Sequence, residues 1–333
     1  MVIEPKAANE AVPLPAQPTE QSWSRTHLLD VDTLSREEIL LLLETAEGME
    51  EVLHRRVART PALRGITVVN LFYEPSTRTR ASFELAGKVL SADVINLAGS
   101  GSSADKGESL VDTVRTLEAV GANVLVLRHG SSGAPYLAAR HTSAHIINAG
   151  DGWHAHPTQA LLDAYTLRKK LGSLEGKRIV IVGDIKHSRV ARSNMWALTT
   201  LGASLTLVGP RTLLPVGLEA AADGGLPSVA IEDNLDRAIE GADAVMALRV
   251  QRERLGAASL PSLREYASLY QVNSERLSRA AEGAPLLHPG PMNEGVEISS
   301  DVAHGIQSEV ERQVQHGVAV RMAALYLLAR TGE

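Results

Sequence analysis

Cysteine is absent from the chain, so neither a disulfide framework nor thiolate chemistry is open to it. Aromatic residues are scarce: two Phe, six Tyr and three Trp are too few for a base-stacking surface. Positive charge is not in excess either. The formal net charge of −6 argues against a globally basic nucleic-acid binder, and any anionic ligand must be held by local clusters of Arg and Lys. No apolar run approaches the ~18–20 residues that span a bilayer, so no membrane partner is expected. The opening stretch, MVIEPKAANEAVPLPAQPTE, has no basic segment followed by an apolar one, which makes the cytoplasm the expected location.

What is present is a globular composition, 44% apolar and 22% charged, on a chain of 333 residues, long enough for two cores. Residues 1–22 are rich in Pro, Ala and Glu without periodicity and read as a disordered tail. A first helix is expected at Ser35, where SREE fits a capping box and Ile39, Leu42, Leu43 and Ala46 recur at helical spacing. Strand-like runs at 66–73, 93–97, 123–128 and 145–148 then alternate with helical stretches at 77–90, 108–120 and 135–140. After a long helix over 158–171 the alternation restarts, with strands at 178–182, 204–208, 229–231, 244–248 and 285–288. Helices at 189–201, 234–240 and 275–281 lie between them, and a final helix covers roughly 307–330. The pattern predicts an α/β chain: two doubly wound parallel-sheet domains joined by helices, dividing near residue 153.

At the first strand-to-helix junction stands EPSTRTRASFE, with Ser76, Thr77, Arg78, Thr79 and Arg80 in consecutive positions. A helix starting near Thr77 offers free backbone N–H groups and the positive end of its dipole. The hydroxyls add donors, and Arg78 adds a planar fork suited to phosphate oxygens. Together these predict a phosphate-binding turn. Ala81, Leu85 and Val89 are expected to bury one face of the helix, and Arg80 to pair with Glu84. Elsewhere, the HAH triplet at 154–156 lacks the spacing and the third ligand of a zinc site, so no metal is expected. IVIVGD at 179–184 is strand-like, but the DIKHSR after it lacks the glycines of a dinucleotide fingerprint.

FYEPSTRTRASFE resembles the phosphate-binding segment of the aspartate/ornithine carbamoyltransferase family. Further motifs of that family follow in order: KGESLVDTVRTL from Lys106, LRH from Leu127, HPTQALLDAYT from His156, GDIKHSRVARS from Gly183, RVQRER from Arg249 and LHPGP from Leu287. The similarity covers roughly residues 24–331. It implies a carbamoyl phosphate-binding domain at 23–153, an amino acid-binding domain at 154–306, and a C-terminal helix at 307–333 packed back on the first domain.

The resemblance also implies roles. Ser76, Thr77, Arg78 and Thr79 would bind the phosphate, with Ser102 and Lys106 on a Gly/Ser-rich loop lent by a neighbouring subunit, hence a homotrimer with shared sites. Thr79, Arg128 and His156 would polarise the carbamoyl oxygen. Gln159 and the backbone carbonyl of Pro289 would accept from the carbamoyl NH2. Lys106, Arg189, Arg249, Gln251 and the backbone at Gly290 would hold the amino acid. Glu74 would bridge to Arg189 and Arg254 on domain closure. HPGP at 288–291 carries Gly290 where relatives often have Leu or Ala, and Met292, Asn293 and Glu294 stand where many have an Arg.

No cofactor is implied, because carbamoyl phosphate is already activated. The absent Cys, the HPGP segment and RVQ at 249–251 point to L-aspartate rather than ornithine, and two guanidinium forks suit a dicarboxylate while repelling a cationic side chain. The product would be N-carbamoyl-L-aspartate, a step of pyrimidine synthesis. Transfer to another amine such as ornithine, and a non-catalytic scaffold role, are the alternatives. Either phosphate itself or Lys106 takes the amine's proton, and assembly with regulatory chains or a dihydroorotase stays open.

Overall fold

The computed structural model describes residues 23–98, 108–218, 225–250 and 262–331. Ser102, Lys106, Gln251, Arg252, Arg254 and the tail at 1–22 lie outside those residues.

Helix α1 (Arg36–Leu53) opens as its sequence dictates. The Ser35 side chain accepts from the Glu38 N–H, and the Glu38 carboxylate accepts from the Ser35 N–H. Four parallel strands follow, β1 (Thr67–Phe72), β2 (Asp93–Ala98), β3 (Val124–His129) and β4 (His145–Asp151), in the order β2-β1-β3-β4. They are linked by α2 (Thr77–Val89), α3 (Leu110–Ala119) and α4 (Ala134–Ala139). Helix α5 (Pro157–Leu171) leads to a second parallel sheet. Its strands are β5 (Arg178–Val182), β6 (Ser204–Val208), β7 (Ala230–Glu232), β8 (Ala244–Ala247) and β9 (Leu286–Leu287), in the order β7-β6-β5-β8-β9. Helices α6 (Arg189–Thr200), α7 (Leu235–Ala238), α8 (Leu263–Tyr270), α9 (Ser274–Leu277) and α10 (Ser300–Ala303) accompany it. The last helix, α11 (Val310–Ala329), runs back across α1, α2 and α5. The expected α/β architecture with two parallel sheets is therefore the one observed.

Both sheets are built from buried strands such as Ile179–Val182, which reads as an unbroken apolar run because both of its faces are covered. One apolar cluster is continuous from α1 through α5, α6 and α11 to β5 and β8, so the two sheets share a core instead of hanging on a hinge alone.

Two local expectations fail. The buried face of α2 is Thr79, Ser82, Phe83, Ala86 and Val89, while Ala81 and Leu85 face outward. The Phe83 ring sets the face, because it needs the interior more than Leu85 does. Glu84 pairs with Lys88 at 2.6 Å rather than with Arg80, in the favourable acid-before-base order. Helices α8 and α10 have no counterpart among the expected elements; both are short, and α10 carries too few apolar residues to show a period.

Candidate functional site

In each sheet, chain order reverses beside a central strand: between β1 and β3 in the first, between β5 and β8 in the second. Such switch points leave a crevice beyond the carboxyl ends of the strands. The two crevices open into one cleft of about 690 Å³. Ser76–Thr79 follow β1, Arg128 is the last residue but one of β3, Arg189 follows β5, Arg249 follows β8, and His288–Pro291 follow β9, and all of them line this cleft. Fold topology alone thus gathers residues from five separate segments.

The phosphate-type turn is open for a ligand. Ser76 is the N-cap of α2, yet its side chain makes no capping hydrogen bond, and no acidic residue sits in the first turn to quench the helix dipole. Thr79 is buried beneath it, and the Ser82 hydroxyl donates to the Thr79 carbonyl at 2.9 Å, which stiffens the turn. Burial and the neighbouring Arg249 hold the Arg78 guanidinium below its usual pKa. Arg78 lies against Gly290, whose φ is +62°; a Cβ there would come within 2.9 Å of the Arg78 Cζ.

Arg128 sits where the β3–β4 register shifts, between Leu127 and His129, and such a bulge re-aims the side chain. Its Nη1 donates to the Ala149 carbonyl at 3.0 Å, and its Nε lies 3.4 Å from Glu74 Oε2. Arg189 is the first residue of α6. Its Nη1 donates to the Gly152 carbonyl at 3.1 Å, and its Nη2 to Glu74 Oε2 at 2.8 Å. Gly150, with φ +116°, lets both guanidinium groups close over it, for a Cβ would stand 3.0 Å from each.

His156 is the N-cap of α5 and is buried, with its backbone N–H donating to the Ser193 hydroxyl at 2.9 Å. Nothing among the described residues meets its Nδ1. Burial, reinforced by Arg128, Arg189 and Arg321, pushes the imidazole well below its ordinary pKa, so it stands neutral. A neutral imidazole can donate one hydrogen bond to a polarised carbonyl without becoming charged. Gln159, one turn on, also lines the cleft.

The cleft therefore gathers Ser76, Thr77, Arg78, Thr79, Arg128, His156, Gln159, Arg189, Arg249, Pro289 and Gly290. It also contains Gln313 and Arg321, on α11, which motif reading does not single out. Arg321 is buried, lies 5.2 Å above the Phe83 ring, and is pushed down by burial to about 10. A signal for it exists in the sequence: one guanidinium inside the apolar run GVAVRMAALYLLA.

An arrangement of guanidinium groups, an open helix N-terminus and a neutral imidazole suits an anionic substrate in which negative charge grows on a carbonyl oxygen. Comparison with known proteins agrees. The chain is 56% identical to the aspartate carbamoyltransferase catalytic subunit of Roseiflexus sp., over 95% of this chain and 99% of that one. It is 57% identical to the corresponding subunit of Sorangium cellulosum, over 92% and 94%. Among solved structures it resembles aspartate transcarbamoylase from Trypanosoma cruzi in complex with carbamoyl phosphate and aspartate (TM-score 0.81, 31% identity, 91% and 96% covered). It also resembles ornithine carbamoyltransferase from Pyrococcus furiosus (TM-score 0.81, 28% identity, 92% and 98% covered). Residues 26–169 match the carbamoyl-P binding domain and residues 175–328 the Asp/Orn binding domain of one family, so the chain belongs to the aspartate/ornithine carbamoyltransferases.

Proposed function

We propose that this protein transfers the carbamoyl group of carbamoyl phosphate to the α-amino group of L-aspartate, giving N-carbamoyl-L-aspartate and phosphate. The observation that carries the reading is the convergence of Arg78 and Arg128 from one sheet with Arg189 and Arg249 from the other on a single cleft. One pair suits an acyl phosphate and the other a dicarboxylate. The relatives from Roseiflexus sp. and Sorangium cellulosum, at 56% and 57% identity, are aspartate enzymes, which favours aspartate over ornithine.

In this reading residues 23–153 bind carbamoyl phosphate, residues 154–306 bind aspartate, and 307–333 return to the first domain. Ser76, Thr77, Arg78 and Thr79 hold the phosphate, and Arg78 stabilises it as it departs. Thr79, Arg128 and His156 donate to the carbamoyl oxygen, which becomes an oxyanion when nitrogen attacks. Gln159 and the Pro289 carbonyl accept from the carbamoyl NH2. Arg189, Arg249, Gln251 and the Gly290 backbone bind aspartate. Ser102 and Lys106 enter from a neighbouring subunit of a cytoplasmic homotrimer. The C–N bond forms as the carbonyl opens to the oxyanion, the carbonyl re-forms as the C–O bond to phosphate breaks, and the amine's proton passes to phosphate or Lys106. Binding both substrates in line lowers the entropic part of the barrier, so no cofactor is required.

The test is turnover of carbamoyl phosphate with L-aspartate and, separately, with L-ornithine. Carbamoyl-aspartate should accumulate and citrulline should not. Turnover with ornithine alone would overturn the assignment.

A further inference from the structure

Behind the cleft, without lining it, lies Asp163 of α5, fully buried. Three amides converge on its carboxylate. Oδ1 accepts from Gln159 Nε2 at 2.9 Å and from Gln313 Nε2 at 2.7 Å, and Oδ2 accepts from Asn194 Nδ2 at 2.9 Å. Burial raises this carboxyl to about 6, while the three amides and the nearby Arg321 oppose the rise.

A carboxylate can only accept, so every amide facing it must turn its NH2 inward. Gln313 confirms the orientation independently. Its Oε1 accepts from the His288 backbone N–H at 2.8 Å, a group that can only donate, which leaves Nε2 for Asp163. The same logic fixes Gln159: with Nε2 on Asp163, its carbonyl oxygen is the end left for the cleft, where nothing among the described residues donates to it.

We infer that Asp163 is the positioning residue of the carbamoyl subsite. Its carboxylate holds Gln159 with the carbonyl oxygen presented as an acceptor, and through Gln313 it holds the turn that carries Pro289. One buried group thereby sets the orientation of two acceptors that stand on different segments of the chain. This inference rests on the assignment of Gln159 and Pro289 to the carbamoyl NH2.

The experiment is a double-mutant cycle in the full-length enzyme with Asp163→Leu and Gln159→Ala, reading kcat, KM for aspartate and the dissociation constant of inorganic phosphate. Asp163→Leu should lower kcat about 100-fold, with KM for aspartate and phosphate affinity within ~3-fold of the parent. In the Gln159→Ala background the same change should cost only about 10-fold, because the Gln159 arm is already gone and only the Gln313 arm is left to lose. Asp163→Asn, whose amide oxygen can still receive both glutamines, should keep clearly more activity than Asp163→Leu, short of the parent because the new NH2 faces the Asn194 NH2, which the Val190 carbonyl holds in place. Gln313→Leu, which keeps Asp163 but cuts its link to His288, is the second variant and should lower kcat about 10-fold at unchanged phosphate affinity.

Additive losses in the cycle, a parental kcat in Asp163→Leu, or a parental kcat in Gln313→Leu would each overturn the inference while leaving the carbamoyl subsite intact. A parental kcat in Gln159→Ala would instead overturn the subsite assignment and the inference with it. The Gln313→Leu and Gln159→Ala results decide the matter even where Asp163→Leu fails to fold.

Discussion

Glu74 and Arg189 meet at 2.8 Å across the cleft, one following the first strand of the first sheet, the other opening the helix after β5 in the second. The Arg189 side chain is only 6% exposed, so the pair is screened little by solvent. The same Glu74 oxygen lies 3.4 Å from Arg128 Nε, which makes this carboxylate the link between a residue of the first sheet and one that follows a strand of the second.

Glu74→Gln should therefore loosen this link across the cleft and free Arg189 from its orientation. The expected result is a fall in kcat of about 10- to 100-fold with a raised KM for aspartate, since the largely buried Arg189 is left without its carboxylate partner. X-ray scattering with a bisubstrate mimic bound should show a smaller contraction than the parent shows. Parental kcat together with parental contraction would remove Glu74 from closure.

His156 yields a prediction with a definite sign. Its folded pKa lies well below the ordinary 6.5, chiefly through burial and then through Arg128, Arg189 and Arg321. The unfolded chain then takes up a proton near pH 6.5 that the folded protein refuses, so this group costs stability as pH falls below that value and nothing above it. Measured against His156→Gln by urea unfolding, the parent should lose ground on acidification from about pH 7 to about pH 5. A difference independent of pH would mean that the imidazole is not held neutral.

Much of this is legible in the residue pattern, and the exceptions share a cause. Strands such as Arg178–Val182 and Ser204–Val208 stand where apolar runs bounded by turn signals put them. Site residues announce themselves when polar groups crowd a strand's end, as in Ser76–Thr79. Asp163 and Gln313 do not, because their role arises from contacts 150 positions apart, which no local pattern encodes. The buried face of α2 escapes the pattern for a related reason. A period of four fits Ala81 and Leu85, but the α11 residues that pack on that helix decide which face turns inward.

Gly290 illustrates a constraint visible only in three dimensions. Its left-handed φ of +62° and its contact with the Arg78 guanidinium leave no free room for a side chain. Gly290→Ala should cost about 1 kcal/mol of stability from the backbone conformation alone. It should also displace the end of Arg78 and raise KM for carbamoyl phosphate several-fold, more than KM for aspartate. Equal KM values for carbamoyl phosphate in the variant and the parent would show that Arg78 relaxes without losing its ligand.

The proposed sharing of sites between subunits is open to a direct test by mixing chains. An Arg78→Ala chain lacks the phosphate fork but still carries Lys106, and a Lys106→Ala chain carries the reverse. Each alone should be almost inactive. If every site combines Arg78 of one chain with Lys106 of a neighbour, then random reassembly at equal amounts makes about one site in four whole again. The mixture should therefore recover about a quarter of parental activity after joint unfolding and refolding, and none when the two proteins are combined without exchange. Trimers verified as mixed by mass spectrometry but still inactive would place Lys106 in the same chain's site, and the Gly/Ser-rich loop would then act only on its own subunit.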